Sequence, residues 1–260
     1  MEYKNESTRV NAELSHGSAQ ENINSDRLKE ISLLLSSKFG VDWNTDNLVT
    51  LKRQSLSRIL YYNHLYQQIV DIPGVICEFG VHWGSGLAQL LNLRGIYEPY
   101  NVSRRIVGFD TFEGFSAVDE KDGPEVQLGD YPVMANYEVL LEEILEIQES
   151  FSPASHIRRF ELVKGDASVT ISDWLANNPH LIISMAIFDM DVYKPTKDVL
   201  EQILPRLTKG SLLVFDELSC DHFPGETIAL DEVLGVANLA LRRLPNNSYC
   251  SWAVYEGPRT

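Results

Sequence analysis

Five apolar runs in this chain end beside acids: CEFGVHWGSG, GFDTFEGF, VKGDAS, FDMDVYKP and FDELS. In the fourth, Asp189 and Asp191 stand two residues apart. On an extended strand such a pair faces one side, so one carboxylate can hold a cation while its neighbour handles a proton. In the fifth, Asp216 and Glu217 are consecutive. Several carboxylates meeting in one crevice would supply the oxygen ligands that a hard cation such as Mg²⁺ prefers. A carboxylate beside a bound hydroxyl can also act as a general base.

These residues can act together only if the fold collects them. From residue 74 onward, strand-like and helix-like segments alternate. GVICEFG, RRIVGFD, RFELVKGD, LIISMAIFDMD and GSLLVFDE read as strands. SGLAQLLNLRGI, VTISDWLANN and KPTKDVLEQILPRL read as helices. Repeated βα units predict an α/β fold, a doubly wound and mostly parallel sheet whose ligands sit beyond the carboxyl ends of its strands. Residues 116–150 are too long for an ordinary connection and are expected to form an insertion of the lid type. Ahead of this domain, residues 26–73 predict helices, the first capped by Ser25 and ended by Gly40. Residues 1–25 are polar and read as a flexible arm. The expected divisions are thus 1–25, 26–73 and 74–260.

Composition narrows the function. Lys and Arg number 22 against 37 Asp and Glu, a net charge of −15 in 260 residues. That balance repels nucleic acid and anionic membrane surfaces, and neither is expected as a partner. Cys77, Cys220 and Cys250 are widely spaced and suggest neither a disulfide framework nor a zinc site. With no signal-peptide pattern and no apolar stretch of membrane-spanning length, the chain reads as cytoplasmic.

The first strand end places Gly80, Gly84 and Gly86 between a strand and a helix. Glycines there let a ligand approach the backbone at a helix N-terminus. The spacing departs from G-x-G-x-x-G, so the pyrophosphate fingerprint is missing. Asp110 stands where an acid accepts hydrogen bonds from ribose hydroxyls in such folds. Together they suggest an adenosine-containing cofactor without a pyrophosphate.

ICEFGVHWGSG resembles the E-x-G-x-x-x-G motif of class I S-adenosylmethionine-dependent methyltransferases. GFDTFEGF, VKGDASVTI, FDMDVYKPTKDVLEQILPRLTKGSLLVFDE and GETIALDEVLG resemble the macrocin and dTDP-sugar O-methyltransferase family, over roughly residues 74–235. The resemblance implies a Rossmann-like methyltransferase sheet and a divalent-metal-dependent enzyme, usually with Mg²⁺, that methylates a sugar hydroxyl. By position, Asp189, Asp216 and Glu217 match the metal site and Asp191 the proposed general base. Glu78, Gly80, Ser85, Asp110 and Asp166 match cofactor positions, with Asp110 on the ribose and Asp166 near the adenine. The sequence has Asp-Glu where Asp-Asp is commoner, and Glu217 reaches one methylene further. The implied partners are a nucleotide sugar or glycosylated metabolite and further copies of the chain. His82 and His222 read as structural or substrate-contacting; Trp83 either covers the cofactor or packs on a helix. Two alternatives stay open: a nicotinamide-dependent oxidoreductase, and a protein that binds S-adenosylmethionine or metal without turnover.

Overall fold

The structure is a computed structural model and describes residues 18–247 and 249–258, with the backbone alone of 8–10 and 13–15. The chain divides into two compact units, Met1–Leu60 and Tyr61–Thr260. In the first, β1 (Thr8–Val10) pairs antiparallel with β2 (Glu13–Ser15). Then follow α1 (Ala19–Ser36), the short α2 (Trp43–Asp46) and the start of α3 (Arg53–Ile69). Of the arm expected over residues 1–25, residues 1–7, 11–12 and 16–17 lie outside the described residues. Helix α1 begins at Ala19 rather than after Ser25, because Ser18 and Glu21 form a reciprocal capping box that satisfies the first N–H groups.

The boundary between units falls inside α3 instead of at residue 73. Tyr61, Tyr62, Leu65, Tyr66 and Ile69 are buried in the apolar cluster of the second unit, so the end of α3 is part of that core.

The second unit continues as β3 (Val75–Phe79), α4 (Ser85–Tyr97), β4 (Ile106–Asp110), α5 (Tyr137–Ser150), β5 (Phe160–Lys164) and α6 (Ala167–Asn177). It is completed by β6 (Ile183–Phe188), α7 (Tyr193–Ile203), β7 (Leu207–Phe215), α8 (Pro224–Leu234) and β8 (Ser251–Val254). The sheet order is β5-β4-β3-β6-β7-β8, parallel throughout except for antiparallel β8. The expected doubly wound α/β architecture is what the chain adopts. Strand β8, which no βα pattern announces, closes one edge.

Both faces of the sheet are covered, and the strand residues alternate between two cores. Ile76, Met185, Ile187, Leu212 and Val214 enter one cluster. Val75, Cys77, Phe79, Phe188, Leu213 and Phe215 enter the other. Burial on both sides explains why these strands read as continuous apolar runs. The chain moves outward from β3 to β4 and β5, then returns past β3 to β6 and β7. The order therefore reverses between β3 and β6, which places the crevice of a doubly wound fold at their carboxyl ends. Residues 111–136, between β4 and α5, contain neither helix nor strand.

Candidate active site

Four central strands carry a phenylalanine at or one residue before their last position, Phe79, Phe109, Phe188 and Phe215, and the four rings form a ladder. Phe79 stacks on Phe109 and Phe188 at 4.9 and 5.5 Å between centroids, and Phe188 on Phe215 at 5.0 Å. The residue after each phenylalanine is Gly80, Asp110, Asp189 or Asp216. Ladder hydrogen bonds carry the register that one step further. Gly80 N–H donates to Phe109 O at 2.9 Å, Asp189 N–H to Phe79 O at 2.8 Å, and Asp216 N–H to Phe188 O at 3.1 Å. The apolar ladder thus sets the depth at which these positions leave the sheet. The repeated Phe-Asp was visible in the sequence, though its meaning as a shared level was not.

In the glycine loop, Gly80 (φ +89°) passes so close to β6 that a Cβ would run into the carbonyl of Asp189. Asp110 organises the loop. Its Oδ2 accepts the Val81 and His82 N–H groups at 2.6 and 2.8 Å, and its Oδ1 accepts Phe112 N–H at 2.5 Å. A carboxylate has about four lone-pair sites, so these three bonds leave room for about one ribose hydroxyl. Glu78 is buried and accepts the Tyr62 hydroxyl at 2.9 Å, and a Cβ on Gly86 would collide with it. Ser85 is exposed at the start of α4. Asp166 caps α6 through Ser168 N–H at 2.9 Å and accepts the Ser116 hydroxyl at 2.8 Å. Burial raises the Asp166 carboxyl, but the bonds from Ser168 and Ser116 outweigh it and hold it below the ordinary range. This loop, with its helix N-terminus and nearby acid, suits an adenosine-bearing ligand.

The acid pair of β6 departs from expectation. The strand ends at Phe188, so Asp191 is not on an extended strand in step with Asp189. Asp191 has φ +62°, and Val192 N–H donates to Met190 O at 2.7 Å. The chain must turn from strand to helix α7 within residues 189–192, which demands a tight turn. A γ-turn of positive φ is rare and strained, and such strain clusters at functional positions.

Around Asp216 and Glu217 lie groups that sequence reading passed over. The Cys250 thiol contacts Asp216 Oδ1 at 2.9 Å. Burial, the charge of Glu217 and a hydrogen bond to it push the Cys220 thiol up to about 11. Glu226, fully buried on α8, accepts Glu217 N–H at 3.1 Å, and its Oε2 has no hydrogen-bond partner among the described residues. Burial, then the charge of Asp191, with further push from Asp216 and Asp189, raises its carboxyl well above the ordinary range. The donor chemistry, half-buried carboxylates beside the buried Glu226, fits a hard cation. Among the described residues, however, no three Asp, Glu, His or Cys side chains form a ready ligand set. The structure puts Asp189 and Asp216 at neighbouring strand ends without completing such a set with Glu217. All three cysteines are free thiols.

Aromatic rings border the same end of the sheet. Tyr131 lies 5.4 Å from Phe115, 6.2 Å from Phe223 and 6.1 Å from His82. Trp83 packs edge-on against Tyr137 of α5 at 4.8 Å, and the Tyr137 hydroxyl donates to Trp83 O at 3.0 Å. His222 Nδ1 lies 3.5 Å from Glu125. Apart from the Tyr131–Phe115 contact, which lies within the 111–136 segment, each joins that segment or α5 to the loop after β3 or β7.

Comparison with known proteins bears on the family and the fold. The macrocin O-methyltransferase family model matches residues 36–229. The mycinamicin III 3''-O-methyltransferase of Micromonospora griseorubida is 28% identical over 153 residues, covering 56% of each chain. The chain therefore spans little more than half the length of that relative. The solved structure of CalS11, a calicheamicin methyltransferase, is 40% identical with a TM-score of 0.87, covering 93% of this chain and 95% of that one. Its apo form, described as a TDP-rhamnose 3'-O-methyltransferase, is 38% identical with a TM-score of 0.80, covering 93% and 96%. The O-methyltransferase NovP, 16% identical with a TM-score of 0.59 over 77% and 80% of the two chains, shares the fold. No described helix is long and apolar enough to cross a membrane. These matches leave the nicotinamide reading without support, and with a family model spanning well over half its length, the chain belongs to the macrocin O-methyltransferase family.

Proposed function

We propose that this protein transfers the methyl group of S-adenosylmethionine to a sugar hydroxyl, with a divalent cation such as Mg²⁺ in the acid crevice. The observation that carries this reading is the row of Gly80, Asp110, Asp189 and Asp216, held at one level beyond the phenylalanine ladder in a chain of this family. The acceptor is a nucleotide sugar or a glycosylated natural product. A relative described as acting on TDP-rhamnose favours the first, and one named for mycinamicin III favours the second. The family resemblance also implies self-association, which light scattering would read directly.

S-Adenosylmethionine supplies a sulfonium methyl open to attack. Asp110 shapes the loop that receives it, with Glu78, Gly80 and Ser85 nearby and Asp166 toward the adenine. Asp189, Asp216 and Glu217 are the residues that would hold the cation, whose chemistry is to bind the acceptor oxygen and lower the hydroxyl pKa. Asp191 takes the hydroxyl proton. The oxygen's electron pair then forms the O–CH₃ bond as the C–S bond breaks, and S-adenosylhomocysteine leaves. Alignment of the two reactants supplies much of the acceleration.

The test is methyl transfer to nucleotide sugars and glycosylated products, detected by mass, with and without EDTA. Turnover should fall about 10²- to 10⁴-fold in Asp191→Asn, the usual size of a general-base contribution. EDTA should abolish turnover and Mg²⁺ restore it. Methyl transfer that survives both treatments refutes the mechanism. A second reading, binding without turnover, draws on the unassembled ligand set. Calorimetric S-adenosylmethionine binding with no product from any acceptor would favour it.

A further inference from the structure

We propose that Asp122, in the long segment between β4 and α5, is a positioning residue for Asp191. The proposal rests on reading Asp191 as the group that takes the acceptor's proton. The γ-turn at Asp191 is anchored upstream by the ladder bond from Asp189 N–H to Phe79 O at 2.8 Å. Downstream, α7 begins at Tyr193 after Val192, a residue whose side chain offers no cap. The first N–H groups of a helix lack intrahelical partners and call for an acceptor. Asp122 provides it across 71 positions of sequence, its Oδ1 accepting Tyr193 N–H at 2.7 Å.

That acceptor is itself fixed. Asp122 is 8% exposed, and its Oδ2 accepts Asp119 N–H at 2.7 Å. Gly225, at the start of α8, backs the contact so closely that a Cβ there would meet both Asp122 Oδ1 and Tyr193 N. The Tyr193 ring lies under Lys121 Nζ, 3.9 Å from its centroid. Its hydroxyl donates to Glu232 at 2.6 Å. The segment between β4 and α5 is therefore attached to the start of α7, two residues from Asp191. Withdrawing Asp122 frees the downstream end of a strained turn, and the Asp191 carboxylate loses its aim while the glycine loop is untouched.

Three measurements test this. In Asp122→Ala, kcat should fall about 10- to 100-fold, as expected for a reacting group displaced by about 1 Å, with the S-adenosylmethionine Kd within about twofold of wild type. Asp122→Asn keeps an oxygen for Tyr193 N–H but turns its NH₂ toward the Asp119 N–H, so its kcat should lie between those of wild type and Asp122→Ala. In the unaltered protein, the Tyr193 amide should exchange with solvent at least about 100-fold more slowly than in a free peptide, because an N–H at the first position of a helix has no other protector. A folded Asp122→Ala protein with wild-type kcat overturns the proposal. So does free-peptide exchange at Tyr193, a result that stands even if Asp122→Ala does not fold. If the wild type methylates no sugar offered, the functional reading fails instead, and the exchange rate still judges the Asp122 bond.

Discussion

Gly80 shows how little freedom single positions have at this site. Its φ of +89° lies where side chains are strained, and an added Cβ would strike the Asp189 carbonyl, a backbone atom that the ladder holds in place. Gly80→Ala should cost roughly 2–5 kcal/mol in urea denaturation, from left-handed strain plus overpacking. A loss below about 1 kcal/mol would show that the loop and β6 can separate, and the shared level of Gly80 and Asp189 would lose its basis. Gly80, Asp110 and Asp189 were legible in the sequence because each follows the last apolar residue of a strand. Asp122, Glu226 and Cys250 were not. Their partners, Tyr193, Glu217 and Asp216, lie between 9 and 71 residues away along the chain, and no local pattern encodes the pairing.

Among elements, α7, α8 and the loop after β4 are joined by one charged cluster. Glu232 on α8 accepts from Lys121 at 2.6 Å, Lys197 at 2.7 Å and the Tyr193 hydroxyl at 2.6 Å. These bonds, led by Lys121, lower its carboxyl from 4.5 to about 2. A carboxyl depressed in the folded state takes up its proton later than in the unfolded chain. Its stabilisation is therefore complete above about pH 4.5 and disappears as the pH falls through about 2. Glu232→Gln should melt below wild type at pH 7, by a small margin because the group is partly exposed and screened by salt. Melting curves taken from pH 7 down toward pH 2 should converge. A gap that stays constant with pH would mean that the cluster acts through packing instead of charge. The helices themselves were readable from apolar spacing; the expected extension of β6 through Asp191 was not realised, since the strand-to-helix reversal needs a turn there.

Across the whole molecule, the two ends of the sheet have different work. Before the strands begin, Arg104 donates to Glu98, Ser184 and the carbonyls of Ile69, Ile72 and Gly74. Buried Glu149 accepts from Arg94 and, at 2.5 Å, from Arg159, both fully buried. Breaking a buried ion pair strands the remaining charges, which typically costs about 3–5 kcal/mol. Glu149→Gln should lose that much stability in chemical denaturation, and a loss under about 1 kcal/mol would show that water reaches the network. The opposite end carries the concentrated negative charge and the left-handed residues His82, Phe112, Tyr131, Asp191 and Ser219. Charges at one end are compensated by fixed partners, while the carboxylates at the other are the ones proposed above to meet ligands.

By itself the sequence determined the α/β alternation, the parallel sheet and the acid at each strand end. Those follow from local periodicity and from residues adjacent along the chain. Only the tertiary structure decided that four strand ends share one level, that Asp191 sits in a strained turn, and that Asp122 and Glu226 grip the backbone at Tyr193 and Glu217. Such contacts join segments far apart in the chain, and burial alone removes the water that would otherwise satisfy those groups.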